Sequence, residues 1–266
     1  MVIFADVSHI IAQEIEQLFY PRNIPKKTYI LNNSTMKKTL AVIAAALLCA
    51  TGLTQAQTRV TIFGDSYSTF EGWLTPADNE TWYWSESSPN RNAKNDVTKV
   101  EQTWWWQVID RMGWQLERNN SYSGSTVSYF GYRSENYKER SFNTRVENLG
   151  EPDVILSCCI TNDSWTGSKL GDYKYANWTE SDMWYFRPAM ARLCATLRLN
   201  YPKARTIFIL NSELKPEFNE SMRIICRHYD MPLIELHDID KQKGHPSVAG
   251  HKAFADQVVD YLTKNK

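Results

Sequence analysis

From residue 57 onward the chain alternates between two apolar patterns. Five short runs, at 59–63, 116–121, 153–159, 206–210 and 232–236, are nearly continuous and β-branched, as strands buried on both faces are. The segments 103–112, 142–149, 184–200, 217–229 and 247–263 space their apolar residues as helices do. Strands alternating with helices predict crossover connections and a parallel sheet covered on both faces. No repeat, low-complexity tract or linker interrupts this single α/β domain. Two connections are longer than the usual βα loop of about 2–6 residues. One, at 71–102, contains Trp73, Trp82, Tyr83 and Trp84 and leads into Trp104-Trp105-Trp106; the other, at 129–141, contains Tyr132, Arg133, Tyr137, Lys138 and Arg140. Ligands of open α/β sheets bind beyond the carboxyl ends of the strands, where such loops emerge.

Upstream the pattern changes. From Met36, Lys37 and Lys38 precede an apolar run of 11 residues, Leu40 to Ala50, and Thr54 and Ala56 then supply small side chains. That is the order of a secretory signal peptide, and the run is too short for a transmembrane helix, which needs ~20 apolar residues. The expectation is a signal peptide over 36–56, cleavage after Ala56, and export to the periplasm or the exterior. Residues 1–35 then read as an over-extended gene start, with translation beginning at Met36.

Composition sharpens this picture. The 266 residues carry 30 Lys+Arg and 30 Asp+Glu, and a zero net charge argues against a nucleic-acid binder, which shows a basic field. Residues 1–56 hold five Lys/Arg and three Asp/Glu, so residues 57–266 carry 25 against 27, a net charge of −2. All ten Trp fall in that part. Of the five cysteines, Cys49 lies in the signal segment; Cys158, Cys159, Cys194 and Cys226 show no CxxC or metal-ligand spacing. They read as buried free thiols, with a Cys194–Cys226 bridge the open alternative in an oxidising compartment.

The candidate chemistry sits at strand ends. The first strand runs into Gly64-Asp65-Ser66, which places a hydroxyl at the mouth of the sheet. Alone, that triplet as readily supplies a helix cap. The second runs into Asn119-Asn120-Ser121-Tyr122-Ser123-Gly124-Ser125, where Gly124 offers a backbone N–H; the third runs into Thr161-Asn162-Asp163-Ser164, where Asn162 offers an amide donor. After the fifth comes Gly244-His245-Pro246-Ser247, an imidazole at a helix entrance. A serine hydroxyl needs a base within hydrogen-bond reach, and an oxyanion needs preorganised donors, each worth ~10²–10³ in rate.

This ordered set resembles the SGNH hydrolases, also called the GDSL esterase/lipase family, from Gly64 to the final helix. The resemblance implies a flavodoxin-like three-layer α/β/α sandwich with a five-stranded parallel sheet, and ester hydrolysis through an acyl-enzyme. By matching position it implies Ser66 as nucleophile, His245 as general base and then acid, and an oxyanion hole from the Ser66 N–H, Gly124 and Asn162. Of the other histidines, His9 lies upstream of the signal segment, His228 and His237 read as structural or exposed, and His251 is turned about 240° from His245 on the last helix.

Two positions depart from the family pattern. Ile160 stands where the third block usually has glycine, and Gln242 stands where an aspartate usually precedes the histidine by three residues. A local backbone adjustment is expected at Ile160. The orienting acid is open between Glu213 and Asp240, with a backbone carbonyl or Gln242 itself as the dyad alternative. The leading expectation is an exported serine esterase removing an acyl group, acetyl first, from a small-molecule or polysaccharide ester. The aromatic loops, with Arg133 and Arg140, would stack on and hydrogen-bond to sugar, although the same aromatics could equally form a loop core. The alternatives are a lipid or lysophospholipid esterase, and a non-catalytic carbohydrate-binding protein on a decayed hydrolase scaffold. No cofactor or metal is expected, since HExxH, P-loop, dinucleotide and GxSxG motifs are absent; the pattern sets no oligomeric state.

Overall fold

The computed structural model describes residues 57–91 and 95–265. The expected signal peptide, its cleavage point, Cys49 and the segment 1–35 lie outside the described residues. Five strands, β1 (Arg59–Gly64), β2 (Gln115–Asn119), β3 (Val154–Cys158), β4 (Arg205–Leu210) and β5 (Leu233–Glu235), form one parallel sheet in the order β2-β1-β3-β4-β5. This is the flavodoxin-like strand order, with its switch point between β1 and β3. A two-stranded antiparallel ribbon, β6 (Lys241–Gln242) and β7 (His245–Pro246), follows the sheet. The helices are α1 (Trp104–Met112), α2 (Phe142–Arg145), α3 (Thr161–Thr166), α4 (Phe186–Asn200), α5 (Pro216–His228) and α6 (Val248–Lys264).

Successive strand residues serve opposite cores, which is why the runs look continuous in sequence. Phe63, Ile155, Phe208 and Leu210 pack with Phe142 of α2, Leu193 and Leu197 of α4, and Phe218 and Met222 of α5. Val60, Ile62, Leu156, Ile207 and Ile209 pack on the other face with Trp104, Trp105 and Val108 of α1 and with Phe254, Val258 and Leu262 of α6. Three layers result, as the resemblance implies. Each fully buried large side chain contributes ~1.5–3 kcal/mol to the assembly.

The structure departs from the sequence reading in a few places. The helix expected over 142–149 stops after one turn at Arg145, because neighbours take the groups that would continue it. The Leu149 N–H, which a longer helix would send to the Arg145 carbonyl, donates to Tyr201 Oη at 3.1 Å, and that carbonyl accepts instead from the Asn148 N–H at 3.0 Å and from Asn120 Nδ2 at 3.3 Å. The short helix α3 and the β6–β7 ribbon carry no apolar period and have no counterpart in the sequence reading. Cys158, Cys159, Cys194 and Cys226 are buried free thiols, so the Cys194–Cys226 bridge left open by the sequence does not form. Among the described residues no helix is long and apolar enough to cross a membrane.

Candidate active site

The carboxyl end of β1 turns sharply. A Cβ on Gly64 would lie 2.4 Å from Ser68 Oγ and 2.8 Å from Ser121 Oγ, so only glycine lets the first two motif loops close on each other. Asp65 then caps a single 3₁₀ turn over Ser66–Ser68, its Oδ1 accepting the Tyr67 N–H at 3.0 Å. Burial raises the Asp65 carboxyl to about 6, against the lowering pull of the Tyr67 N–H and the Arg145 charge. The turn presents Ser66 Oγ, 2.9 Å from His245 Nε2. Both residues are nearly closed off, Ser66 being 2% and His245 6% exposed.

His245 reaches that position through the β6–β7 ribbon, whose two-residue turn uses Lys243 at φ 53° and Gly244 at φ 76°. Side chains from distant segments hold the ribbon. Tyr67 Oη donates to the Gly244 carbonyl, Tyr83 Oη to the Pro246 carbonyl at 2.9 Å, and Asn95 Nδ2 to the same Pro246 carbonyl at 3.1 Å. The other ring nitrogen, Nδ1, lies 3.1 Å from the Lys243 carbonyl. With Nδ1–H donating to that oxygen, Nε2 is left as acceptor for the Ser66 hydroxyl. Burial, against the raising effect of the Lys243 carbonyl, pushes His245 down to about 4, helped by the nearby Lys241 ammonium.

Neither expected acid is brought to the ring. Glu213 is exposed at the end of β4, with φ 64°, and pairs with Lys241 Nζ at 2.9 Å. Asp240 accepts from Ser247 Oγ, which itself caps α6. Gln242 Oε1 accepts the Asp96 N–H at 2.9 Å. Among the described residues, the group at Nδ1 is a backbone carbonyl and not a carboxylate.

Gly124 and Asn162 lie at the same edge. Gly124 has φ 77°, a left-handed conformation that favours glycine; among the described residues no acceptor takes its N–H or that of Ser66. Asn162, in the first turn of α3, donates one Nδ2 hydrogen to the Ser125 carbonyl at 2.9 Å, and its Oδ1 accepts from Tyr132 Oη at 2.9 Å. That fixes the carboxamide with its second N–H free, since the amide carries two donor hydrogens. Ile160 takes a left-handed backbone, at φ 70° and ψ −9°, a region that favours glycine. The conformation costs ~1–2 kcal/mol in a side-chain-bearing residue, and the side chain is fully buried in the core.

Beneath these loops the Arg145 guanidinium is buried. Nη2 donates to the Gly64 carbonyl at 3.1 Å and to Ser125 Oγ at 3.0 Å; Nη1 donates to Asn120 Oδ1 at 2.9 Å and to the Asn120 carbonyl; Nε donates to the Arg140 carbonyl at 2.9 Å. One side chain thus joins the first two motif loops. Asp163 does similar work for the third, accepting from the Val127 and Ser128 N–H groups at 2.7 and 3.0 Å.

The aromatic residues divide between core and site. Trp104 and Trp105 are buried, and Trp104 stacks on Phe254, so the tryptophan triplet serves mainly helix packing. Trp82 instead stacks on His245, and Trp165 and Tyr132 stand partly exposed at the site. Arg140 lies over the Tyr122 and Tyr137 rings and pairs with Glu80 at 3.2 Å, while Arg133 is exposed. His251 is buried behind the site, its Nδ1 accepting the Trp104 N–H at 3.1 Å; His228 stacks on Tyr175, and His237 is exposed. Reading the sequence does not find Arg145, the anchoring role of Tyr132 or the stacking of Trp82. The aromatic density of 71–102 is the only signal for the last, and a lone arginine after a short helical pattern gives none.

Residues 58–262 match the GDSL-like Lipase/Acylhydrolase family. A Bacteroides ovatus protein named a GDSL-like lipase has a crystal structure that superposes with a TM-score of 0.77 at 47% identity, covering 79% of this chain and 100% of its own. One from Bacteroides uniformis, named likewise, superposes with a TM-score of 0.76 at 52% identity, covering 79% and 97%. A family two carbohydrate esterase from Clostridium thermocellum, solved as an active-site mutant, shares the fold at 15% identity and a TM-score of 0.51, covering 78% of this chain and 64% of its own. No curated protein matches the chain.

Proposed function

The chain belongs to the GDSL-like lipase/acylhydrolase family, an ester-hydrolysing serine hydrolase, and from that premise we propose an exported esterase that removes an acyl group, acetyl first, from carbohydrate through Ser66 and His245. The observation that carries the mechanism is the 2.9 Å contact between Ser66 Oγ and His245 Nε2, with unengaged donors beside it. The Ser66 proton passes to Nε2 as Oγ bonds the ester carbonyl carbon. The charge arriving on the carbonyl oxygen faces the N–H groups of Ser66 and Gly124 and the second N–H of Asn162 Nδ2. The alcohol leaves with the proton from Nε2, and water then repeats the sequence on the acyl-enzyme.

The small acyl group rests on the closure of the site, since Ser66 is only 2% exposed. The sugar rests on Trp165 and Tyr132, 39% and 37% exposed, which offer flat faces beside His245 and Asn162. Export rests on the signal-like order of residues 36–56. Ser66→Ala is expected to lower p-nitrophenyl acetate turnover by at least ~10³-fold and to abolish labelling by a fluorophosphonate. An acyl-release screen over acetylated polysaccharides and lipid esters tests the substrate; release from lipid esters alone overturns the carbohydrate reading. Retained activity in Ser66→Ala places the nucleophile elsewhere.

A further inference from the structure

In a Ser–His pair the imidazole becomes positively charged as it takes the serine proton, and a carboxylate at Nδ1 ordinarily stabilises that charge. Here, among the described residues, Nδ1 meets only the Lys243 carbonyl, and burial works against a charged ring. Aromatic rings pack against the imidazole instead, one of them face to face. The Trp82 indole lies parallel to it, with 3.6 Å between centroids and 10° between planes. Tyr67, Trp165 and Tyr83 lie near it tilted or edge-on, with centroids at 5.3, 5.9 and 6.4 Å.

Trp82 is held in register with the nucleophile. Its backbone N–H donates to Thr69 Oγ1 at 2.9 Å, and the same hydroxyl donates to the Ser66 carbonyl at 3.0 Å. The next residue ties the strand of chain a second time, the Tyr83 carbonyl accepting the Glu71 N–H at 3.0 Å. Among the described residues the indole Nε1 has no hydrogen-bond partner, so none of them fixes the ring flat on the imidazole through that nitrogen.

We propose that Trp82 is a positioning residue that stands in electrostatically for the missing carboxylate, its π-face stabilising the His245 imidazolium formed during acyl transfer. The negative face of a tryptophan ring attracts a cation, most strongly where both are withdrawn from water. The attraction to the neutral ring is much weaker, so it acts selectively on the charged transition state and raises kcat. The other titratable and charged groups around the ring do not supply this. The Tyr67 and Tyr83 phenols are pushed up by burial and stay neutral, hydrogen-bonded to Gly244 and Pro246. Lys241 is like-charged and is held by Ser212 and Glu213. His251, beyond Tyr83, is pushed down to about 3. Asp65, Asp96 and Asp240 direct carboxylate oxygens to Tyr67 N–H, Val248 N–H and Ser247 Oγ respectively, and none of the three hydrogen-bonds the ring.

The inference rests on the Ser66–His245 reading, and its test separates the two. Tryptophans carrying one, two and four ring fluorines are placed at position 82 alone in the full chain, since fluorine withdraws charge from the ring face with little change of shape. With p-nitrophenyl acetate, kcat is expected to fall stepwise, by about 5- to 30-fold at the most fluorinated step, with KM unchanged within about twofold. The acid limb of kcat/KM should move to lower pH, because a less stabilised imidazolium loses its proton more readily. Trp82→Phe, which keeps a weaker π-face, should fall within that range, and Trp82→Leu below it. Rates and acid limb that stay flat across the fluorinated series, while a fluorophosphonate still labels Ser66, overturn the role of Trp82 and leave the dyad standing. If Ser66 is not labelled, the dyad and this inference fall together.

Discussion

At Ser66 and His245, the geometry depends on backbone carbonyls more than on side-chain charges. The Lys243 carbonyl takes the place at Nδ1, while Glu213 turns outward to Lys241 and Asp240 is occupied by the cap of α6. The two acids therefore separate experimentally. Glu213→Ala should leave kcat/KM within about twofold, since exposed ion pairs contribute only ~0–1 kcal/mol. Asp240→Ala should lower stability by about 1 kcal/mol in urea unfolding through the weakened Ser247 cap, with His245 retaining its contact to Ser66. Turnover slowed ~10³-fold or more in either variant, with folding intact, would restore a carboxylate to the mechanism. No periodicity reveals this arrangement, because which of the nearby acceptors meets Nδ1 depends on how the ribbon turn is wound.

The elements that place the site are the least regular ones. Helix α2 is one turn long, yet it carries Arg145, whose guanidinium holds the Gly64 carbonyl, Asn120 and Ser125 at once. Burial pushes Arg145 down to about 9 and the charge of Asp65 opposes this, so the strut is charged at neutral pH in spite of its surroundings. Arg145→Met keeps most of the apolar volume and strands several acceptors. It should cost about 3–5 kcal/mol in unfolding free energy, and slow fluorophosphonate labelling of Ser66 by loosening the first two loops. A variant as stable as the parent would show that water replaces the guanidinium. The regular helices and strands are legible from their apolar spacing, whereas α2, α3 and the β6–β7 ribbon are held by hydrogen bonds between distant segments and leave no period.

Across the whole domain, buried titrating groups set the response to pH. The His245 and His251 rings are held below their ordinary 6.5, at about 4 and about 3. Their contribution is therefore complete above pH 6.5 and is lost as pH falls toward those values, as the unfolded chain takes up protons the folded one refuses. Asp65 and Asp163 act oppositely: burial raises both from 3.8 to about 6, so their contribution is complete below pH 3.8 and lost as pH rises through 6. His251→Asn, whose Oδ1 can accept the Trp104 N–H, removes one of these groups away from the reacting atoms. Relative to the parent it should gain about 2 kcal/mol of stability between about pH 7 and pH 5, read from urea melts at each pH. A difference that stays constant with pH would contradict the buried neutral state of His251.

The sequence by itself determined the α/β class, the five strands and the order of the motif loops, because burial on two faces imposes a pattern on every strand and helix. It also determined which serine, glycine, asparagine and histidine stand at the strand ends, because each follows directly on a readable strand or precedes a readable helix. Only the tertiary structure decided that His245 meets the Lys243 carbonyl, that Arg145 is a buried strut and that Trp82 lies flat on the imidazole. These contacts join residues 2, 81 and 163 positions apart by way of irregular loops. Loop conformation follows from competing hydrogen bonds and ring packing across the whole fold, and no local spacing along the chain records the outcome.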